Sequence, residues 1–575
     1  MVEASEPPAL SPLDLPSHLL DSILSLALQL HRQSLARAED GELFDLRKRD
    51  PRRVLPLVSR GFLAAADASH SLWRRVQLNL LALPADRVPP LVRWLHRHAA
   101  ALRCLALHGR ALPTVEAALL AQLAPLAAAV QAAGAAGLEA LELPRCLGAA
   151  VLARLDPAGL VRLRAIAVDL APSRPAAGGG GESVRERRRG RAEGQLSEAE
   201  LATLCLLRLP ALEELLVQSS LDGRLLAACP GAWPRLRRLA FADARDVARI
   251  PSLPSLACLP GLTSLRFYQR DGFALPGPLT ALRQLSHLHA AVRYRDDPLV
   301  VEEGLSSLTS LRALWLQHAA FEAPAALAAL PRLHTLALVG GAAGWAAVLE
   351  GLAAAAGQLG AQSEAAAATA RQHALVAAAA AAAATDRAAA APAAAPARGA
   401  GLRALHLQAH AQSVAEVPGE VWQALAQLPA GLTRLELPYN RLRELPEGRY
   451  LSELRALDLS HNSLAGVPPH LPGCCPHLSA LSLGQQETAA PGEGDADMAA
   501  LRALPALRLL VTSAGHYSGS HLSAGLRSPA EGAHLGRLRA VLPSRCRVSN
   551  RQGDWERAAG RLAALFDVSV RQGRP

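Results

Sequence analysis

Residues 432–468, LTRLELPYNRLRELPEGRYLSELRALDLSHNSLAGVP, contain one pattern twice in tandem. The spacing is LxxLxLxxNxL: Leu432, Leu435, Leu437, Asn440 and Leu442, then Leu454, Leu457, Leu459, Asn462 and Leu464. Alternating leucines predict a short strand that turns one face inward, and the Asn side chain can satisfy backbone groups in the turn that follows. A unit of this length cannot bury its own apolar face, so it requires a stack of similar units.

The chain supplies them. LxxLxL cores, with Ile, Val, Phe or Ala allowed at a leucine position, begin at Leu102, Leu138, Leu163, Leu212, Leu236, Leu262, Leu285, Leu311, Leu333, Leu402, Leu432, Leu454, Leu478 and Leu507. The starts from Leu212 to Leu333 lie 22 to 26 residues apart. Motif and period together resemble the leucine-rich-repeat proteins, which implies an α/β solenoid of horseshoe form.

Composition bounds the function. At 575 residues the chain exceeds one compact core. Lys48 is the only lysine, so no phosphate-binding loop of the GxxxxGK[ST] type occurs beyond it. Neither a GxSxG elbow nor a HExxH helix is present, and the eight cysteines lack CxxC spacing. A non-enzymatic chain without cofactor or metal is expected. The net charge of +10 is concentrated in runs such as 47–53 and 183–191, which lack interleaved aromatics and read as solvated linkers. Neither a nucleic-acid nor a membrane partner is expected, and the N-terminus lacks the blocks of a secretory signal. These features fit a cytoplasmic or nuclear protein.

Ahead of the repeats, Pro16 suits the start of a helix carrying Leu19, Leu20, Ile23, Leu24, Leu26 and Leu30 on one face. VLPLVSRGFLA follows at 54–64 and SLWRRVQL at 71–78. These segments resemble the F-box family: Leu15 and Pro16 match its opening Leu-Pro, Ile23 and Leu24 its first helix, Val58, Arg60 and Phe62 its Val-Cys-Arg-x-Phe segment, and Leu72 with Trp73 its closing Leu-Trp. Ser59 departs from the family Cys, and the connection through 31–53 is longer than usual. The resemblance implies docking to the adaptor and cullin subunits of a ubiquitin ligase through Leu15, Pro16, Leu19, Ile23, Leu24, Val58, Phe62 and Trp73. The alternative for this segment is a helical cap over the open end of the solenoid.

The expected organisation is a disordered tail over 1–12, a small all-α F-box-like domain over 13–79 with the insertion 31–53, and a connecting helix within 80–101. Repeats then occupy 102–545, interrupted by low-complexity insertions at 173–195 and 346–400, and a C-terminal cap covers 546–575. The Ala-rich insertion can extend as a helix. In each strand the residue between the second and third leucines faces the concave side. That places Arg266, His289 and Trp315 in a band, with Tyr268 and His287 beside them, as the candidate surface for an unknown protein target. A leucine-rich-repeat scaffold in signalling or cytoskeletal assembly, with no ligase link, is the alternative function.

Overall fold

The computed structural model describes residues 74–80, 83–108, 112–144, 147–168, 198–217, 233–244, 259–269, 273–275, 277–292, 298–358, 365, 369, 372, 401–409, 417–484, 495–511 and 547–549. They fall in two units, divided between Leu236 and Arg237. The F-box-like positions Leu15, Pro16, Leu19, Ile23, Leu24, Val58, Phe62 and Trp73 lie outside the described residues, as do the insertion 173–195 and most of the C-terminal segment.

The first unit contains five parallel strands in chain order: β1 (Arg75–Asn79), β2 (Cys104–His108), β3 (Ala140–Glu142), β4 (Ala165–Val168) and β5 (Glu214–Val217). Parallel neighbours require a crossover, and here helices supply it. Val88–Arg97 joins β1 to β2, Pro113–Ala121 and Leu123–Ala136 join β2 to β3, and Glu198–Leu207 precedes β5. Leu126, Val130 and Ala133 of one crossover are buried, as are Leu105 and Leu141 of the strands.

In the second unit, β6 (Arg238–Ala244) and β7 (Ser264–Gln269) begin a parallel sheet. A short strand β8 (Phe273–Leu275) leaves it, β9 (His287–Val292) returns, β10 (Leu299–Val301) leaves again, and β11 (Ala313–Gln317) is followed directly by β12 (Ala319–Phe321). The sheet continues through β13 (Thr335–Gly340), β14 (Ala404–Ala409), β15 (Arg434–Glu436), β16 (Ala456–Asp458), β17 (Ala480–Ser482), β18 (Leu509–Val511) and β19 (Arg547–Ser549). Strands β8, β10 and β12 form a separate three-stranded parallel sheet, which the LxxLxL pattern does not signal. At its junction with the main sheet His318 takes a left-handed backbone, φ 55°, and turns the chain from β11 into β12.

Every strand from β2 to β18 in the main sheets begins two residues after one of the leucines that open an LxxLxL core. Backbone bonding fixes this register. The residue after each opening leucine donates its N–H to the carbonyl of its counterpart one repeat earlier: Arg403 to His334, Thr433 to Arg403, Arg455 to Thr433, Ser479 to Arg455 and Arg508 to Ser479, each at 2.8 Å. Inside, Leu405, Leu435, Leu457 and Leu481 are fully buried.

The two asparagines extend that logic to the turns. Asn440 accepts from Ala409 N at 2.9 Å and donates to Leu407 O at 2.7 Å. Asn462 accepts from Asn440 N and Leu442 N, and donates to Leu437 O as well as to Leu459 O and Ser460 O of its own repeat. The asparagine therefore serves the preceding repeat at least as much as the turn that follows its own strand. The residue before it turns sharply, with left-handed backbone at Tyr439 (φ 60°) and His461 (φ 55°), whose rings stack at 3.9 Å. The equivalent position in β13 is Gly340, φ 110°, where a Cβ would meet His318 Nδ1 at 2.4 Å.

Three expected boundaries are corrected. Residues 75–79 are a strand paired with β2, not the end of an all-α domain, so Val88–Arg97 is the outer layer of a repeat instead of a domain connector. The signal was present in the alternation Val76, Leu78, Leu80. Strand β19 carries the repeats past 545 into the segment read as a cap. Residues 345–358 are helical and bury Trp345, Val348 and Leu349, so the second insertion does not start at 346. A run of alanines masked three core residues at the head of that helix.

Replacing Asn462 by Ala leaves Asn440 N, Leu442 N and Leu437 O without this partner in a closed interior. A loss of roughly 3 kcal/mol is expected, since each buried orphan costs about 1–3 kcal/mol. Leu457→Ala, a core truncation, is expected to lose roughly 2–5 kcal/mol. Urea unfolding of both variants beside the parent checks the pair.

Candidate functional site

The parallel register places the band residues in line. Arg266 pairs with His289, His289 with Trp315, Trp315 with Ala337, Ala337 with His406, His406 with Glu436, Glu436 with Asp458 and Asp458 with Ser482. Adjacent positions along this row are separated by the inter-strand spacing of about 4.8 Å. The row thus brings together three of the five candidate residues. His287 lies on the same face two residues toward the strand start, in register with Ser264 and Ala313. Tyr268 lies in β7, in register with Ala291, at the other end of the strand.

Aromatic rings run along the row. His289 stacks on Trp315 with ring centroids 5.2 Å apart and planes 27° apart. On its other side Trp315 stacks on His406 at 5.3 Å and 24°. These two residues sit two strands apart, and the contact closes because the residue between them is Ala337, whose methyl leaves room for the indole to lean across. Trp315 and His289 are half-buried, and Ala337 is covered.

From His406 onward the row becomes ionic. His406 Nδ1 lies 2.9 Å from Glu436 Oε2, and its Nε2 lies 3.2 Å from Gln408 Oε1. Arg434, on the same strand as Glu436, donates through Nε to Glu436 Oε1 at 2.7 Å, with its terminal nitrogen at 2.6 Å from the same oxygen. Burial by itself raises the Glu436 carboxyl, but the hydrogen bond and charge of His406 and the charge and hydrogen bond of Arg434 outweigh it, so the acid is held below its ordinary range. Its neighbour Asp458 is raised, chiefly by burial and further by the negative Glu436, while its Oδ1 accepts from Ser460 N at 3.0 Å.

The histidines respond differently to the same face. His289 is held well below its ordinary value by burial of the ring, with the Arg266 guanidinium adding to the shift. His287 is lowered by burial and then by Arg312 and Arg238, and its Nδ1 lies 2.8 Å from Ser286 Oγ. Among the described residues no group of three His, Cys, Asp or Glu side chains is placed to hold a metal.

The site is therefore a strip with a cationic end at Arg266, a stacked aromatic centre and an acidic end at Glu436. Sequence reading did not find His406, Arg434 and Glu436. His406 occupies the concave position of LRALHL, and Glu436 that of LTRLEL, so the register was available. What linked them to Trp315 was the small residue at 337, a contact across two strands that no motif announces.

No protein-family model matches the sequence, and no curated protein matches it. Solved structures do. An internalin from Listeria monocytogenes is 14% identical and superposes with a TM-score of 0.33, over 81% of this chain and 94% of its own. A leucine-rich-repeat protein from Leptospira interrogans is 15% identical with a TM-score of 0.31, over 85% and 98%. A third, the TLR13–ssRNA13 complex, is 17% identical with a TM-score of 0.36, over 71% and 48%. At these values the likeness carries nothing about function. The strand register and the asparagine bonds decide the architecture. Both units are built of repeats in which an LxxLxL core opens a parallel strand of the sheet.

Protonation links this face to stability. Below about pH 6.5 the imidazole of an unfolded chain takes up a proton that His289 in the folded chain does not. Stability therefore falls as pH drops through that range. Melting temperatures at pH 7.5 and 5.5 are expected to differ less for His289→Gln than for the parent protein.

Proposed function

We propose that this chain is a non-catalytic receptor that holds a protein target on its concave strip. The proposal further makes the chain the substrate-recognition subunit of a cullin-based ubiquitin ligase, working in the cytoplasm or nucleus. One observation carries the receptor reading: the continuous His289–Trp315–His406 stack, bounded by Arg266 on one side and the Glu436 ion pairs on the other. Large amphipathic rings flanked by charges present contact area with little conformational entropy to lose, and Trp and Arg dominate the energetics of protein interfaces.

The ligase link rests on the F-box-like Leu15-Pro16, Val58-x-Arg60-x-Phe62 and Leu72-Trp73. On this reading the repeats select the target, other subunits transfer ubiquitin, and catalysis is proximity. No cofactor enters the scheme.

Affinity purification of the full chain tests both halves. With Trp315→Ala, target recovery is expected to fall by about 2 kcal/mol or more of affinity, roughly thirtyfold, with the circular dichroism spectrum unchanged. With Leu15 and Pro16 both replaced by Ala, adaptor and cullin are expected to disappear from the eluate while the target stays. Recovery of a target without adaptor or cullin from the parent chain would favour the scaffold reading.

A further inference from the structure

A second surface runs along the edge where the strands begin. The residues that follow the opening leucines, held in register by the 2.8 Å backbone ladder, read Arg312, His334, Arg403, Thr433, Arg455, Ser479 and Arg508 across successive strands. Arginine recurs at every second strand, about 9–10 Å apart. All four arginines are exposed, and among the described residues no carboxylate lies within ion-pair distance of them. The hydroxyls between them are occupied, with Thr433 Oγ1 donating to Arg403 O at 3.1 Å and Ser479 Oγ to Arg455 O at 2.9 Å. Those two bonds tie the spacer side chains to the backbone and leave the arginines as the groups that project.

The same edge is hollow. A cavity of about 970 Å³ opens beside Arg403 and Arg455, floored by Leu330, Leu333, Leu402 and Leu432 and walled by Leu352 of the 345–358 helix. Leu352 and Leu402 are only half-buried. Glu453 is the one acidic side chain among its lining residues, against Arg403, Arg455 and His477. A smaller hollow of about 320 Å³ shares Arg455 and His477 with it and continues to Arg508.

We propose that this edge binds an extended acidic segment of a partner protein, with its carboxylates on the arginine row and an aliphatic side chain in the cavity between Arg403 and Arg455. An extended chain repeats its side chains on one face about every 7 Å, a mismatch with the arginine spacing that long guanidinium side chains absorb, and each guanidinium can engage a carboxylate through two parallel hydrogen bonds. A single-stranded nucleic acid also offers an anionic repeat, but it is held by successive aromatic platforms, and between these arginines His334 is the one ring, the other two residues being Thr433 and Ser479. Nor has it an aliphatic group for a cavity lined by leucines. This surface is separate from the concave strip, so the two proposals stand or fall independently.

The test uses the full chain and a fluorescent pool of 12-residue peptides with Glu at alternate positions and one central Leu. Matched probes are the same peptides with Gln for Glu, and a single-stranded DNA 12-mer. The acidic pool is expected to bind, with affinity that weakens as salt rises, and the Gln pool to bind at least tenfold more weakly. Arg403→Glu combined with Arg455→Glu is expected to lower the affinity at least tenfold, Arg508→Glu severalfold, and Trp315→Ala not at all. Circular dichroism checks that each variant is folded, and Arg508→Glu keeps the test open if the double variant is not. Equal binding of the Gln pool, no effect of charge reversal, or tighter capture of the DNA by the same arginines would overturn the proposal.

Discussion

A repeat with one apolar face is unstable alone, and in this protein the bonds that join repeats are mostly backbone bonds. Asn462 shows the constraint most directly. Its amide closes five backbone groups, three of which belong to the repeat before it. In the turn the chain leaves the sheet, so those groups have no strand to pair with, and in a closed interior they have no water. A side chain with both a donor and an acceptor is the economical answer. Because the bonds cross from one repeat to the next, turn and strand register are fixed together.

That register turns a one-dimensional sequence into surfaces. Once each strand starts two residues after its opening leucine, side chains of equivalent position form straight rows about 4.8 Å apart. One row contains Arg266, His289, Trp315, Ala337, His406 and Glu436, and another contains Arg312, His334, Arg403, Thr433, Arg455, Ser479 and Arg508. Neither row requires any residue to be near another in sequence. Their chemistry differs because their surroundings differ: the first includes stacked rings and a buried carboxylate held ionised by His406 and Arg434, while the second carries exposed arginines.

Small residues decide how far a row communicates. Ala337 lets the indole of Trp315 reach His406, joining the aromatic centre to the ion-paired end. At the turn position, Gly340 lies against His318, where a side chain of any size would collide with the imidazole. Departures from the consensus are thus not all decay of the motif. Some of them make the contacts that shape the strip.

Leucine spacing alone determined the fold class and the strand starts, because period-2 burial and a fixed repeat length leave a single register that turns the strand leucines inward. It also placed Arg266, His289 and Trp315 on equivalent positions. It misjudged the ends, where β1 and β19 follow looser patterns, and the helix 345–358, where alanine composition hid the core residues Trp345, Val348 and Leu349. Only the tertiary structure revealed the second sheet of β8, β10 and β12, the reach of Trp315 over Ala337, and the shared grip of His406 and Arg434 on Glu436. The physical reason is distance along the chain. His406 is 91 residues from Trp315, and a contact across two strands depends on the volume of the residue between them, which periodicity does not encode.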